Sequence, residues 1–216
     1  MIVYYMSTTK KGISSYELSR QLSLRQKTCW LFQQKIRQAM SSEGDPLLGK
    51  QVIVDEFVVG GPERGKKGRS KGKKKEVVMA IQHDSYGIRG CYARHIKGCG
   101  TKQLRPFFED HIDKVAKITS DKWRGYSPLK QVYLQLEQIP SKKGKNFPFM
   151  HRQIMMLKAW LRGIYHHCKH LQHYLDEFCY RFNRNREGET IFHDLIAKMM
   201  VTEPMPYKKL NILWGS

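Results

Sequence analysis

Two aspartates occupy positions where a carboxylate needs compensation for its charge. Asp55 interrupts an apolar, β-forming run at 52–59 that ends at two glycines, which is the pattern of a buried central strand. Asp121 closes a shorter run of the same kind at 116–121. A buried carboxylate is costly unless it is paired or coordinated. The residues alone leave two interpretations open, an ion pair with one of the many Lys and Arg residues or a metal ligand.

The chain between these aspartates is predicted to bring them side by side. It contains patterns for two strands and for one amphipathic helix, at 76–83, 88–96 and 101–115. The two strands would extend the first into an antiparallel meander, and Thr101 is the predicted N-cap of the helix. If the strand at 116–121 runs parallel to the first, the crossover helix places Asp121 beside Asp55. Two adjacent carboxylates repel, and a divalent cation is the usual resolution.

Residues 1–48 are predicted to form a small helical segment that differs in character from the strands. Ser14 and Glu17 have capping-box spacing, which favours a helix start there, and a second helix is predicted at 25–40. Two short helices with a tight turn and a basic second helix indicate a helix-turn-helix. A helical hairpin that packs on the main domain is an alternative with the same pattern.

The charge of the chain favours a polyanionic partner. It carries 39 Lys and Arg against 19 Asp and Glu, a formal net charge of +20, and nucleic acid is the default partner for such an excess. The alternative is a purely electrostatic binder of the ribosomal kind. A glycine-rich basic tract at 61–75 lacks the spacing of a phosphate-binding loop and is predicted to contact the DNA backbone. The predicted DNA-binding residues are Arg64, Lys66, Lys67, Arg69, Lys71, Lys73 and Lys74 in this tract, with Arg25 and Lys27 in the helical segment.

The rest of the chain is predicted to be mostly helical. A weak strand at 131–140 precedes helices within 149–186 and a last helix at 191–200. Four histidines between 166 and 173 have no Cys or acid at ligand spacing, which favours surface or DNA-facing roles over a metal site. Five scattered cysteines without a Cys-x-x-Cys pair indicate a reducing cytoplasm. The sequence contains neither a membrane-spanning run nor a signal-peptide pattern, so no membrane partner is expected.

Several stretches, in the same order, resemble the bacterial insertion-sequence transposases of the DDE type, in the ISXO branch whose fourth signature residue is Lys. They lie at 54–61, 68–74, 119–126, 151–158 and 171–184, within a resemblance that covers most of 8–186. It implies an α/β fold, an RNase H-like mixed sheet with flanking helices, preceded by the small helix-turn-helix-like segment. The implied domains are 1–48, a DNA-binding-like segment, 49–186, the catalytic domain, and 187–216, a C-terminal helix and tail.

The resemblance also implies the chemistry. Such enzymes cut double-stranded DNA at transposon ends and transfer the 3′-hydroxyl to target DNA, acting as homo-oligomers on DNA in the cytoplasm, at the nucleoid. Asp55 and Asp121 match the first two carboxylates of the family and are the expected ligands of two Mg²⁺ ions. Lys158 matches the family's Lys, which contacts a phosphate or positions the nucleophile.

Two features depart from the family pattern. The zinc ribbon of paired cysteines that usually opens the family is missing, so we expect a truncated copy. The third signature position, usually Asn or Glu two residues before the Lys, falls on Met156, and a thioether is a poor ligand for a hard cation. The second metal site is therefore expected to be weakened. The alternatives to an active transposase are an inactive DNA-binding repressor and a structure-selective nuclease of the same fold.

Overall fold

The computed structural model describes residues 1–9, 11–61, 74–164, 170–188 and 190–206. The chain forms two compact units, residues 43–158, the sheet unit, and residues 1–42 with 159–216, the helical unit. Its α-helices are α1 Ile2–Thr8, α2 Ser15–Leu22, α3 Gln26–Ala39, α4 Thr101–His111, α5 Pro148–Ile164, α6 Leu171–Asn183 and α7 Thr190–Val201. Its strands are β1 Gln51–Val59, β2 Lys75–Asp84, β3 Gly87–Ile96, β4 Lys117–Ser120 and β5 Leu136–Gln138. The domain limits given above stay a prediction.

The sheet unit is built on a five-stranded sheet with the order β3-β2-β1-β4-β5. Strands β1, β2 and β3 form the predicted antiparallel meander. After the crossover through α4, β4 pairs with β1 in the parallel direction, and β5 pairs with β4 in the same direction. A mixed sheet of this order with flanking helices is the RNase H-like fold, as the sequence predicts.

The two faces of β1 have different neighbours, because successive side chains of a strand point to opposite sides. Val52 and Val54 belong to a buried core with residues of α4 and of the 3₁₀ helix Arg124–Gln131. Asp55 and Phe57 therefore point to the opposite face. The apolar residues of β1 thus secure the strand on one side while its aspartate is presented on the other.

Helix α4 differs from the predicted helix at both ends. Its N-cap is Gly100 rather than Thr101, because the Thr101 hydroxyl instead donates at 2.8 Å to a backbone carbonyl of the 3₁₀ helix. The helix ends at His111, four residues earlier than predicted, because Ile112 is extended and the backbone groups on either side of it hydrogen-bond to Leu48. Pairing with the chain before β1 therefore overrides the helical periodicity.

The stretch predicted as a weak strand at 131–140 is mostly not a strand. The 3₁₀ helix extends to Gln131, and β5 is confined to Leu136–Gln138. Leu136 is buried, whereas Leu134, which continues the same alternation, is 85% exposed. The strand is short because β4, the strand on which it pairs, has only four residues.

In the helical unit, α2 begins where the sequence predicts a helix start. Ser14 is the N-cap of α2, and its hydroxyl accepts a hydrogen bond from the Glu17 N–H at 3.1 Å. Ser23, in the left-handed conformation with φ 53°, ends α2 before α3 starts. Helix α3 is joined to α6 by a buried ion pair between Arg37 and Glu177, with 2.7 Å between nitrogen and oxygen. No described helix combines the length and the apolar character needed to cross a membrane.

Acid is expected to weaken the sheet unit through His111, at the end of α4. Its buried ring stacks on Tyr92 and meets the edge of Phe107. This burial, with the nearby Arg94 charge, lowers the pKa of His111 from 6.5 to about 4, although Asp110 opposes the shift. The folded state then binds a proton more weakly than the unfolded chain, so stability is lost as the pH falls from about 6.5 to about 4, by about 3 kcal/mol in total.

Urea unfolding at a series of pH values measures this loss. The control is His111→Gln, which removes the titrating ring and should give a flatter dependence on pH over the same window. Other histidines are present in both proteins and cancel in the difference. An identical pH dependence of the two proteins would contradict the prediction.

Candidate active site at the end of the β1–β4 pairing

Asp55 and Asp121 lie side by side where the pairing of β1 with β4 ends. The register of the two parallel strands runs as far as Val54 opposite Ser120. Asp55 follows within β1, and Asp121 directly follows the end of β4. Residues opposite one another in parallel strands point to the same face of the sheet. Both aspartates are half-buried. The structure therefore brings these two predicted site residues together.

A backbone N–H orients each of these carboxylates. The Glu56 N–H donates to Asp55 Oδ1 at 2.9 Å. The Trp123 N–H donates to Asp121 Oδ1 at 2.9 Å, which closes an Asx turn that leads into the 3₁₀ helix. Each side chain is thus fixed by the chain segment that follows it.

Glu56 points to the opposite face of β1 and meets Tyr126. Glu56 is 6% exposed and Tyr126 is fully buried, and the Tyr126 hydroxyl donates a hydrogen bond to Glu56 Oε2. Burial raises the pKa of Tyr126 well above its ordinary value, and the negative charges of Glu56, Asp55 and Asp121 raise it further. The hydroxyl thus contacts Glu56 and also experiences the charges of both aspartates. Sequence reasoning missed Glu56 as a residue of the site. The available signal is an acid among the apolar residues of the same face.

Helix α5 carries Lys158 and Met156 on different sides. The Lys158 ammonium lies 5.3 Å from the centroid of the Phe57 ring, on β1. Gln153 Nε2 lies 3.4 Å from the Cys91 sulfur, on β3. Met156 is about 200° around the helix from Lys158 but three residues from Gln153, and hence on the β3 side. It is 47% exposed, and so lies on a different side of the helix from Lys158.

Three of the predicted DNA-binding residues lie among the described residues. Arg25 is the N-cap of α3, and it and Lys27 are exposed at the start of that helix. Lys74 is half-buried, directly before β2. The others, Arg64, Lys66, Lys67, Arg69, Lys71 and Lys73, lie outside the described residues.

The donor set fits a hard divalent cation that is also bound by substrate. Within the part of the chain that the structure describes, no group of three or more His, Cys, Asp or Glu side chains is arranged to hold a metal ion. Mg²⁺, however, is commonly held by one or two carboxylates together with substrate phosphates and water, rather than by a cage of protein ligands. The adjacent carboxylates of Asp55 and Asp121 meet that requirement.

The match to a family model decides the family of the chain. The model described as the ISXO2-like transposase domain matches residues 46–183. The chain belongs to the ISXO2-like transposase family. It is therefore a DDE-type transposase, an enzyme class that works with divalent cations, and the matched region contains Asp55, Asp121 and Lys158. No curated protein matches the chain.

The transposase also has distant likenesses among solved structures of Mos1 transposase. The pre-cleavage Mos1 transpososome is 10% identical with a TM-score of 0.36, covering 92% of this chain and 77% of that one. The Mos1 paired-end complex with the left transposon end is 12% identical with a TM-score of 0.38, covering 90% and 77%. The Mos1 mariner paired-end complex with Mn is 12% identical with a TM-score of 0.36, covering 90% and 77%. At these TM-scores the likeness carries no function to this transposase.

Gly125, in the segment between Asp121 and Tyr126, has no room for a side chain. A methyl group there would overlap the carbonyl oxygen of Cys99 and the indole of Trp123. Gly125→Ala is therefore expected to destabilise the transposase by about 1–3 kcal/mol, the usual cost of overpacking.

Urea unfolding checks this prediction, and Gly98→Ala is the matched control. No atom lies within 4 Å of a methyl group placed on Gly98, so its stability should be close to that of the natural chain. Equal stability of the two variants would show that the segment accommodates the methyl group without a loss of free energy of unfolding.

Proposed function

We propose that this transposase cuts DNA at the ends of a transposon and joins the freed 3′-hydroxyl to target DNA. The proposal is supported by the register of β1 and β4 in an RNase H-like sheet, whose last pair, Val54 opposite Ser120, lies directly before Asp55 and Asp121. Carboxylate oxygens are the ligands that Mg²⁺ prefers. Transfer of a phosphoryl group needs its developing negative charge neutralised, which is what such a site provides.

Each residue of the pair has a role in this reaction. Asp55 and Asp121 would hold two Mg²⁺ ions. When bound, the ions supply an activated attacking oxygen and stabilise the leaving oxygen. Lys158, whose ammonium lies over Phe57 on the strand that carries Asp55, binds a phosphate of the cleaved strand. Two carboxylates provide few protein ligands for two ions, so the second ion depends on DNA phosphates and water.

The charge distribution supports double-stranded DNA, both transposon ends and target, as the partner. A net charge of +20 favours a phosphate backbone over any neutral surface. Arg25 and Lys27 are exposed at the N-terminal end of α3, the end of a recognition helix that reaches base edges in helix-turn-helix proteins. Because two transposon ends must be joined to one target, the transposase acts as a homo-oligomer on DNA. It would then act at the nucleoid.

The test is nicking of a plasmid that carries the ends of the element, with Mg²⁺ or Mn²⁺. Nicking at the ends is expected from the natural chain and should disappear in Asp55→Ala and on chelation of the metal. Nicking that persists in Asp55→Ala would rule out this site as the source of the activity.

A second candidate is a repressor that binds transposon ends without cutting them. It is favoured by one observation, the residue at the third signature position: Met156 carries a thioether, which is a poor ligand for a hard cation. End-specific binding without nicking, by both the natural chain and Asp55→Ala, would support the repressor and overturn the cleavage reaction.

A further inference from the structure

The aspartates lie at the last step of the β1–β4 pairing. The paired register ends at Val54 opposite Ser120, one residue before Asp55 and Asp121. The segments that follow this pair therefore contribute to the separation of the two carboxylates. Neighbouring ionised carboxylates repel one another, so contacts between these segments oppose that repulsion before a cation arrives.

A side-chain hydrogen bond joins the two segments. The Tyr126 hydroxyl donates to Glu56 Oε2, and so joins the residue that follows Asp55 to the segment that follows Asp121. On one side, the Glu56 N–H holds Asp55 Oδ1. On the other, the Trp123 N–H holds Asp121 Oδ1, and the Tyr126 N–H donates to the Trp123 carbonyl at 3.2 Å. Both carboxylates are thus linked through the backbone to the same hydrogen bond.

Tyr126 is itself held in place. Its ring is fully buried and lies 6.1 Å from the ring of Phe108, on α4. The neighbouring Trp123 indole donates to the carbonyl of Cys99 at 2.7 Å. A buried aromatic ring packed in a core keeps its rotamer, so the hydroxyl is a fixed point against which Glu56 is positioned.

We propose that Tyr126 and Glu56 are positioning residues that set the separation of Asp55 and Asp121, and with it the affinity of the pair for a divalent cation. Neither residue touches the reacting atoms. Partners behind the ligands of a metal typically change affinity by about 10- to 100-fold when they are removed. This inference rests on the proposed function, because it assumes that the two aspartates bind the cation.

The test is Mn²⁺ binding by the full chain without DNA, followed by electron paramagnetic resonance of the free ion. Tyr126→Phe removes only the hydroxyl and is expected to weaken Mn²⁺ binding about 10- to 100-fold. The matched control is Tyr133→Phe. Tyr133 is 1% exposed in the same core, and its hydroxyl has no hydrogen-bond partner among the described residues, so its loss should leave Mn²⁺ binding unchanged.

A second pair of variants separates positioning from a general loss of folding. Glu56→Gln keeps an oxygen that accepts from Tyr126 and should retain most of the affinity, whereas Glu56→Leu should lose as much as Tyr126→Phe. This pair decides the question if Tyr126→Phe fails to fold. Urea unfolding of the metal-free proteins shows whether affinity changes apart from stability.

The outcomes keep this inference distinct from the proposed function. If the natural chain binds Mn²⁺ no better than Asp55→Ala, the proposed metal site fails. If the natural chain binds Mn²⁺ and Asp55→Ala does not, but Tyr126→Phe binds as well as the natural chain, the positioning role alone is overturned. Equal weakening by Tyr126→Phe and Tyr133→Phe would also overturn it, because packing would then explain both.

Discussion

Asp121→Cys is expected to lower Mg²⁺-dependent nicking at transposon ends on the order of a thousandfold, because several kcal/mol of charge stabilisation depend on the lost oxygen ligand. A thiolate is a soft ligand that binds Mg²⁺ poorly and softer ions well. Replacing Mg²⁺ by Cd²⁺ should therefore restore part of the activity to Asp121→Cys. Rates of plasmid nicking in the two metals measure both effects, and recovery in Cd²⁺ would identify position 121 as a metal ligand.

The control for this experiment is Asp110→Cys, on α4. The Asp110 side chain is 55% exposed and pairs with Arg94 at the surface, so its replacement should leave nicking in Mg²⁺ unchanged. The native cysteines among the described residues, Cys29, Cys91, Cys99 and Cys179, are buried, which limits competition for Cd²⁺. Full activity of Asp121→Cys in Mg²⁺ would show that Asp121 is not a metal ligand.

Glu177→Gln is expected to destabilise the helical unit by about 3–5 kcal/mol, because it leaves the Arg37 charge buried without its carboxylate. Both side chains of this ion pair are 1% exposed. Arg181 lies 3.5 Å from the second oxygen of Glu177, and the Arg37 guanidinium lies 4.7 Å from the centroid of the Tyr174 ring. Urea unfolding followed by circular dichroism reports this loss, since helices dominate the signal.

Two variants show that burial of the charge is the cause. Glu17→Gln breaks the exposed ion pair with Arg20, where the side chains are 41% and 79% exposed, and should cost less than about 1 kcal/mol. The double replacement Arg37→Met with Glu177→Leu removes both charges and should be much more stable than Glu177→Gln alone. A double variant as unstable as Glu177→Gln would attribute the loss to packing.

Local patterns were sufficient to predict the elements that carry the aspartates. The apolar run around Asp55 predicted a strand buried on both faces. The Ser14 hydroxyl is close enough in sequence to accept a hydrogen bond from the Glu17 N–H, whatever the rest of the chain does. The parallel pairing of β1 with β4 was a condition of the sequence argument, and the crossover through α4 agrees with it. These inferences depend on short-range chemistry, which a sequence displays directly.

Long-range contacts account for what the sequence did not predict. The sequence near His111 does not indicate that α4 ends there. The helix ends because the backbone next to Ile112 pairs with Leu48, which is distant in sequence. The meeting of Glu56 with Tyr126 joins residues 70 positions apart. The surroundings of Met156 depend on which elements pack against each side of α5. Counting residues from Lys158 does not predict those elements.

The parallel pairing of β1 with β4 has a consequence for the order of folding. The β1–β2–β3 meander is made of consecutive strands, whereas β4 reaches β1 only after α4 has formed and the chain has closed a long loop, and such non-local pairing is slow. Asp121 therefore joins Asp55 in a late step of folding. A nascent chain still attached to the ribosome before residue 121 carries only one of the two aspartates, and the pair forms once β4 has been made.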